Sequence, residues 1–286
     1  MNVASMHTAV RILLDKIDSL GFVNFEANEI DFFLNTETER FIKHRMSGNS
    51  SQGKGFEETQ KRTDDLRNVT KNAILTPEVS SVDNKPNGRF VLLPNTLADT
   101  YWFSINEEAT VLSPKCGGVK VISGKVKEST TYIVTTGTIT YGGTAYNVGD
   151  TFEGTAVAGV SFTGSGSVYE TSLDKVEIKP LQHDDYNKTI RDPFNKPVLE
   201  GKYKQIRRLQ LDGKIELLLP EGINVLQKYI VRYIRKPQQI SLISSTDCEL
   251  ADHTHAEIIE MVVARMSGTI EAKTYSSNLN ELKKLE

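Results

Sequence analysis

The chain has 286 residues, of which 38% are hydrophobic and 25% charged, the composition of a folded globular protein and not of a disordered one. Lys and Arg number 34 against 37 Asp and Glu, a net charge of −3, and that balance excludes a chain-wide pull toward nucleic acid or an anionic membrane. The two cysteines, Cys116 and Cys248, read as reduced thiols far apart in the chain, and no apolar run reaches the ~18 residues of a membrane span.

The N-terminal third reads as helical. Between His7 and Leu20, apolar residues fall at Val10, Leu13, Leu14, Ile17 and Leu20, a 3.6-residue period with Asp15, Lys16 and Asp18 off the stripe. Those charges, with Arg11, also break up any signal-peptide core, so assembly in a cytoplasm is expected. Gly21 is placed to stop this helix. A second helix is predicted from Ala27 to Met46, with Ile30, Phe33, Leu34, Phe41 and Ile42 as its buried face and Gly48, Asn49 and Ser50 ending it. A third, from Phe56 to Val69, has only Phe56, Leu66 and Val69 as apolar anchors; Glu57, Glu58, Lys61, Arg62, Asp64, Asp65 and Arg67 fill the rest. A helix so polar is expected on a surface or against a neighbouring subunit.

From about Ala73 the pattern turns β-rich. Strands are predicted at Phe90–Pro94, Tyr101–Ile105, Lys175–Leu181, Ile215–Leu219 and Tyr229–Ile234, with Pro220-Glu221-Gly222 as a turn. Arg232 and Arg235 are expected to point out of the sheet. A final helix is predicted from Asp252 to Tyr275 on the face Ile258, Ile259, Met261, Val262 and Met266. Between Gly124 and Tyr169 the chain becomes rich in Gly, Thr, Val and Tyr and poor in charge. Short strands at Tyr132–Val134, Thr138–Tyr141 and Thr151–Phe152, with turns at Gly142-Gly143 and Asn147–Asp150, mark a small all-β insertion. The fold class is therefore α+β: N-terminal and C-terminal helices packed with an antiparallel β core. The organisation is a host domain in two parts, 1–123 and 170–286, interrupted by the insertion at 124–169.

Candidate chemistry fails on spacing. Cys248, Asp252, His253 and His255 suggest metal ligands, but residues two apart on a helix do not face each other. A helix cap by Asp252 or Thr254, with Glu257 in the first turn, explains them better. Asp184 and Asp185 are adjacent, and adjacent residues on an extended chain point to opposite faces, so His183–Phe194 reads as a polar docking loop. The glycines make no phosphate cradle. The Lys196–Arg208 stretch, with Lys202, Tyr203, Lys204 and Arg207, reads as a solvated or salt-bridging face. No catalytic residue, metal ligand or cofactor is expected.

The segments Glu29–Asn35, Arg40–Arg45 and Gly55–Arg67, followed at the far end by Tyr229–Pro237, Cys248-Glu249-Leu250 and Glu257–Arg265, resemble virion structural proteins of crAss-like tailed bacteriophages. The resemblance implies a head–tail connector protein, a ring of about twelve copies around the DNA channel. Its implied partners are further copies of itself, the portal protein, other tail or connector rings and tail fibres. Genomic DNA would pass without specific binding, and no membrane is involved. The expected contact residues are Phe56, Glu57, Lys61, Arg62, Asp65 and Arg67 on the polar helix, and His183, Asp184, Tyr186, Arg191 and Phe194 on the loop. An alternative is a glycan-binding virion decoration or tail-fibre-associated protein that stacks sugars on Tyr132, Tyr141 and Tyr146, with Phe152 beside them. That requires the rings exposed on one face; otherwise they form the insertion's own core.

Overall fold

The structure is a computed structural model that describes residues 1–17, 25–46, 60–79, 88–96, 98–114, 120–121, 124–155, 161–199, 204–220 and 225–269. Its helices are α1 (Val3–Ile17), α2 (Ala27–Met46), α3 (Gln60–Leu66), α4 (Tyr186–Arg191) and α5 (His255–Thr269). Its strands begin with β1 (Thr70–Leu75), β2 (Glu78–Val79), β3 (Gly88–Leu92), β4 (Asn95–Thr96), β5 (Asp99–Pro114), β6 (Lys120–Val121), β7 (Gly124–Lys125) and β8 (Thr131–Thr136). They continue with β9 (Ile139–Tyr141), β10 (Thr144–Tyr146), β11 (Thr151–Glu153), β12 (Ser161–Gly164), β13 (Ser167–Pro180), β14 (Gln205–Leu211), β15 (Lys214–Leu218) and β16 (Val225–Arg235). The class is α+β, as expected. The chain forms two compact units, one of Met1–Lys71, Leu97–Trp102 and Ile234–Glu286, the other of Asn72–Thr96 and Phe103–Tyr233.

In the first unit, α1 and α2 pack on α5. Val3, Met6, Val10 and Leu14 form the buried stripe of α1, starting one turn earlier than the sequence suggests; Gly21 lies outside the described residues. The second helix spans the residues the sequence predicts. Ile30, Leu34, Phe41 and Ile42 are buried, while Phe33 is half-buried. The same face also buries Asp31, Glu37, Thr38 and Arg45. Buried charge is tolerated only when paired. His7 Nε2 lies 2.7 Å from Asp31 Oδ1, Arg265 Nη1 donates to Glu37 Oε1 at 2.6 Å, and Arg45 is taken up by two acids described below. Side-chain bonds between α2 and the segment after β16 run both ways: Asn35 Nδ2 donates to the Ile240 carbonyl and Asn35 Oδ1 accepts from the Ile240 N–H.

The C-terminal helix begins as a 3-10 turn at Asp252–Thr254 and continues as α5; residues beyond 269 lie outside the description. Neither expected cap acts as one. Thr254 Oγ1 donates to the Ala251 carbonyl, and Asp252 accepts from the Met1 amino group at 2.7 Å, which holds its carboxyl below the usual range. Arg235 also departs from the expected outward orientation. It is buried, not outward, because its two terminal nitrogens donate to the two oxygens of Glu249 at 2.8 and 3.0 Å. Arg232 is exposed and donates to Asn72 Oδ1.

In the second unit the main sheet runs β1-β16-β5-β13-β14-β15-β3-β2. Most pairs are antiparallel, but β13 and β14 are parallel, with Glu177 opposite Gln205 and Pro180 opposite Arg208. A parallel pair needs a crossover, and residues 181–204, carrying α4, supply it. The sheet is curled, and chain length proves it. Leu75 and Glu78 end β1 and begin β2, and three residues reach at most ~11 Å. Eight strands in a flat sheet, at ~4.8 Å spacing, would hold β1 and β2 about 34 Å apart. The two ends of the sheet therefore meet, and the segment around Pro77 closes it. Val91, Ala109, Val111, Val176, Ile206, Leu209, Ile215, Leu217, Tyr229 and Val231 fill the buried positions.

The insertion adds a four-stranded sheet, β10-β9-β12-β7, and a β8–β11 pair laid on the start of β13. Tyr141 faces Thr144 across a two-residue loop in which Gly142 and Gly143 have φ of 57° and 83°. Two left-handed residues in succession make the hairpin turn that matches strand twist. The β13 strand runs without a break from the insertion, where Glu170 pairs with Tyr132, into the main sheet, where Thr171 pairs with Pro114. At ~3.3 Å per residue it is about 46 Å long.

Candidate assembly surfaces

The crossover between β13 and β14 presents the most exposed large apolar side chain of the described residues, Phe194, at 88%. Its backbone is fixed. The Phe194 N–H donates to Asp192 Oδ1 at 3.0 Å, and Asn195 Nδ2 donates to Asp192 Oδ2. These bonds, the Phe194 N–H first, hold the Asp192 carboxyl below its usual range. From β14, Gln205 Nε2 donates to the Phe194 and Lys196 carbonyls and Arg207 Nε to that of Asn195 at 2.8 Å. An aromatic ring in solvent on a backbone that β14 anchors has the form of an interface hot spot. Ile190, Lys188, Arg191 and Lys196 are exposed beside it in the chain. Of the other loop residues, His183 is exposed with Nε2 2.8 Å from the Gln210 carbonyl, Asp184 is exposed and Tyr186 half-buried.

The polar helix divides differently. Phe56 and Glu57 lie outside the described residues. Lys61 and Arg67 are exposed, whereas Arg62 and Asp65 are buried. Asp65 accepts from Arg45 Nε at 2.9 Å on one oxygen and lies 2.8 Å from His253 Nε2 on the other. Arg45 Nη2 donates to Glu257 at 2.5 Å, and Lys61 Nζ lies 4.0 Å from the same carboxylate. The charge of this helix thus serves the interior of its own unit through Asp65, while among its described residues Lys61 and Arg67 are exposed and Asp64 is half-buried.

The insertion's rings are packed inward. Tyr132 and Tyr141 are buried, and Tyr146 packs half-buried against them. Phe152 sits at the centre, its ring centroid 5.6, 4.7 and 5.2 Å from those of Tyr132, Tyr141 and Tyr146. Both buried hydroxyls have partners: Tyr132 accepts from the Lys127 N–H, Tyr141 from the Thr155 N–H. Sugar stacking needs an open ring face, and these faces are occupied by one another.

The basic stretch is likewise engaged. Lys204 pairs with Asp174 at 2.7 Å and Arg208 with Glu107 at 2.6 Å; Lys202 and Tyr203 lie outside the description. Burial pushes the Asp174 carboxyl up, but hydrogen bonds from Lys204, Ser172 and Ser113 together hold it below the usual range. Among the metal-like residues, His253 turns to Asp65, His255 Nε2 to the Leu250 carbonyl, and Cys248 is buried, which raises its thiol pKa.

A surface that the sequence does not single out lies on α2. The rings of Phe25 and Phe33 stand edge to face at 6.4 Å, those of Phe32 and Phe33 at 5.7 Å. Phe32 is 63% exposed and Ile243 78%. The two flank the bond from the Leu242 N–H to Asp31 Oδ2, 3.0 Å. Glu26 and Glu29 are exposed on the same end of the helix. Among the described residues, no helix is long and apolar enough to cross a membrane.

Residues 167–278 match the family model of phage tail ring protein 3/4 of crAss-like phages. The matched span holds β13, the Phe194 crossover, β14 to β16 and α5. No curated protein matches the chain.

Proposed function

We infer that this chain is a crAss-like phage tail ring protein with a structural, non-enzymatic role, and that it acts in the head-to-tail connector. About twelve copies, the number the resemblance implies, close into one ring through one repeated contact between identical subunits. The ring lies between portal and tail, and extends and seals the DNA channel. The observation that carries this reading is the match of residues 167–278 to a tail ring family.

The exposed residues Lys61, Arg67, His183, Asp184, Arg191 and Phe194, with the half-buried Tyr186, are the contact set toward neighbouring copies, the portal and other rings of the tail. A net charge of −3 suits a channel wall past which DNA moves without being gripped. The chain is a virion component assembled in the host cytoplasm. Native mass measurement and negative-stain imaging of the full chain, alone and with its portal, test the reading. One high-order cyclic species is the expected result. A chain that stays monomeric alone and never joins the portal sinks it.

A further inference from the structure

We propose that the Phe194 loop of one copy seats on the Phe25–Phe32–Phe33 aromatic patch of a second copy. The contact rests on the ring reading above and gives it its two faces. A closed ring larger than a dimer needs two different surfaces on each subunit that fit each other. The described residues supply two exposed aromatic surfaces of opposite charge.

On the first surface, Phe194 is 88% exposed on a backbone already held by Asp192, Gln205 and Arg207. A side chain presented this way loses little further freedom on docking. Near it in the chain the cations Lys188, Arg191 and Lys196 are all exposed, against one exposed acid of the same loop, Asp184. The acid next to it in the chain, Asp192, is turned inward onto the loop's own N–H groups.

The second surface is a set of edge-to-face rings with Phe32 and Ile243 exposed. It is firmly backed, since Asp31 and Asn35 tie α2 to residues 240–242. Its exposed acids are Glu26 and Glu29, and Glu29 also accepts the Glu26 N–H through Oε2 at 2.9 Å. Aromatic residues are enriched at the centre of protein interfaces and charges at the rim. A Phe194 loop facing another Phe194 loop would set cations against cations. The same loop facing the α2 patch sets Lys188, Arg191 and Lys196 against two carboxylates, so the pairing is heterologous by charge as well as by shape.

The test uses the full chain carrying Phe194→Asp or Phe32→Asp, each alone and mixed in equal amounts, measured by native mass spectrometry. Each variant alone should need about a hundredfold or more higher concentration to associate, the scale of a lost aromatic anchor. The mixture should form dimers of one copy of each, because each variant keeps the face the other lacks. A second arm reverses charge: Glu26→Lys with Glu29→Lys, or Lys188→Glu with Lys196→Glu, should each weaken the ring, and the four together should restore it. Rings that form unchanged in both aspartate variants overturn this contact and leave the ring reading standing. Variants that fail singly and do not dimerise when mixed also overturn it. A wild-type chain that never associates overturns both.

Discussion

Arg45 is the hub of the buried charge network in the first unit, and replacing it with methionine tests how much that network contributes. Its side chain is 5% exposed and bonds a fully buried Asp65 at 2.9 Å and a mostly buried Glu257 at 2.5 Å. Its guanidinium also lies 4.5 Å from the centre of the Phe41 ring. At an effective dielectric of 20, each ion pair at such distances is worth about 6 kcal/mol before desolvation. Methionine fills the space of the stem but leaves two carboxylates without their shared cation. Removing one partner of a buried pair typically costs about 3–5 kcal/mol. His253 still faces Asp65 and Lys61 still approaches Glu257, so the lower end, about 3 kcal/mol, is expected. The chain has one tryptophan, Trp102, which belongs to the same unit, so urea unfolding followed by its fluorescence reads that unit. At a denaturant slope near 2 kcal/mol/M the midpoint should fall by about 1.5 M. Adding Asp65→Asn to Arg45→Met removes the stranded charge and should recover about 1–2 kcal/mol, although Asp65→Asn alone destabilises. A midpoint for Arg45→Met within experimental error of wild type, or no recovery in the double variant, would refute the reasoning.

Phe152→Ala should open the centre of the insertion at a local cost of about 3–5 kcal/mol. Amide exchange should then quicken across Thr131–Thr136 while the Trp102 transition stays in place. Gly143→Val forces a branched side chain to a φ of 83° and should cost about 1–2 kcal/mol in a thermal melt, whereas Gly143→Asn should cost a few tenths. Burial holds the His255 imidazole below its ordinary value, the neighbouring Met1 amino group adding to the effect. Between the folded and unfolded values the unfolded chain binds more protons, so stability should fall as pH drops below about 6.5 and level off beneath the folded value. His255→Asn should flatten that part of a stability-against-pH curve; an unchanged slope would show that another group titrates there.

The helices were legible where a stripe of apolar residues repeats over several turns. In α2 the boundaries read correctly because Ile30, Leu34, Phe41 and Ile42 keep period through polar neighbours. What the stripe cannot show is that Asp31, Glu37 and Arg45 lie on the same buried face, since their partners His7, Arg265 and Asp65 come from other helices. The polar helix failed for the same reason: a charged residue counted as outward becomes inward once a distant opposite charge meets it. The β14 strand was hidden because Lys204, Arg207 and Arg208 look like a basic patch; the pairs of Lys204 with Asp174 and of Arg208 with Glu107 exist only once β13 and β5 are folded into the same sheet. The six residues of α4 bury nothing, so no periodicity could mark them. The insertion's turn was plain, because two consecutive glycines between alternating strands have few other uses.

For the contact surfaces, sequence and structure divide the work unequally. Phe194 stood out in sequence as an aromatic in a polar loop, but such a residue is usually buried on folding. Only the hydrogen bonds to Asp192 and from Gln205 and Arg207 show a backbone built to hold that ring in water. Phe32 gave no comparable signal, because it stands beside Phe33 in a helix whose apolar stripe reads as core. The helix turns Phe32 outward while Ile30 and Leu34 take the core. A monomer gains nothing from an exposed ring on a rigid support and loses solubility by it. Two such rings, one rimmed by cations and one by acids, are best explained by a chain that meets copies of itself through unlike faces, and the hybrid dimer of two singly defective chains would be the direct sign of it.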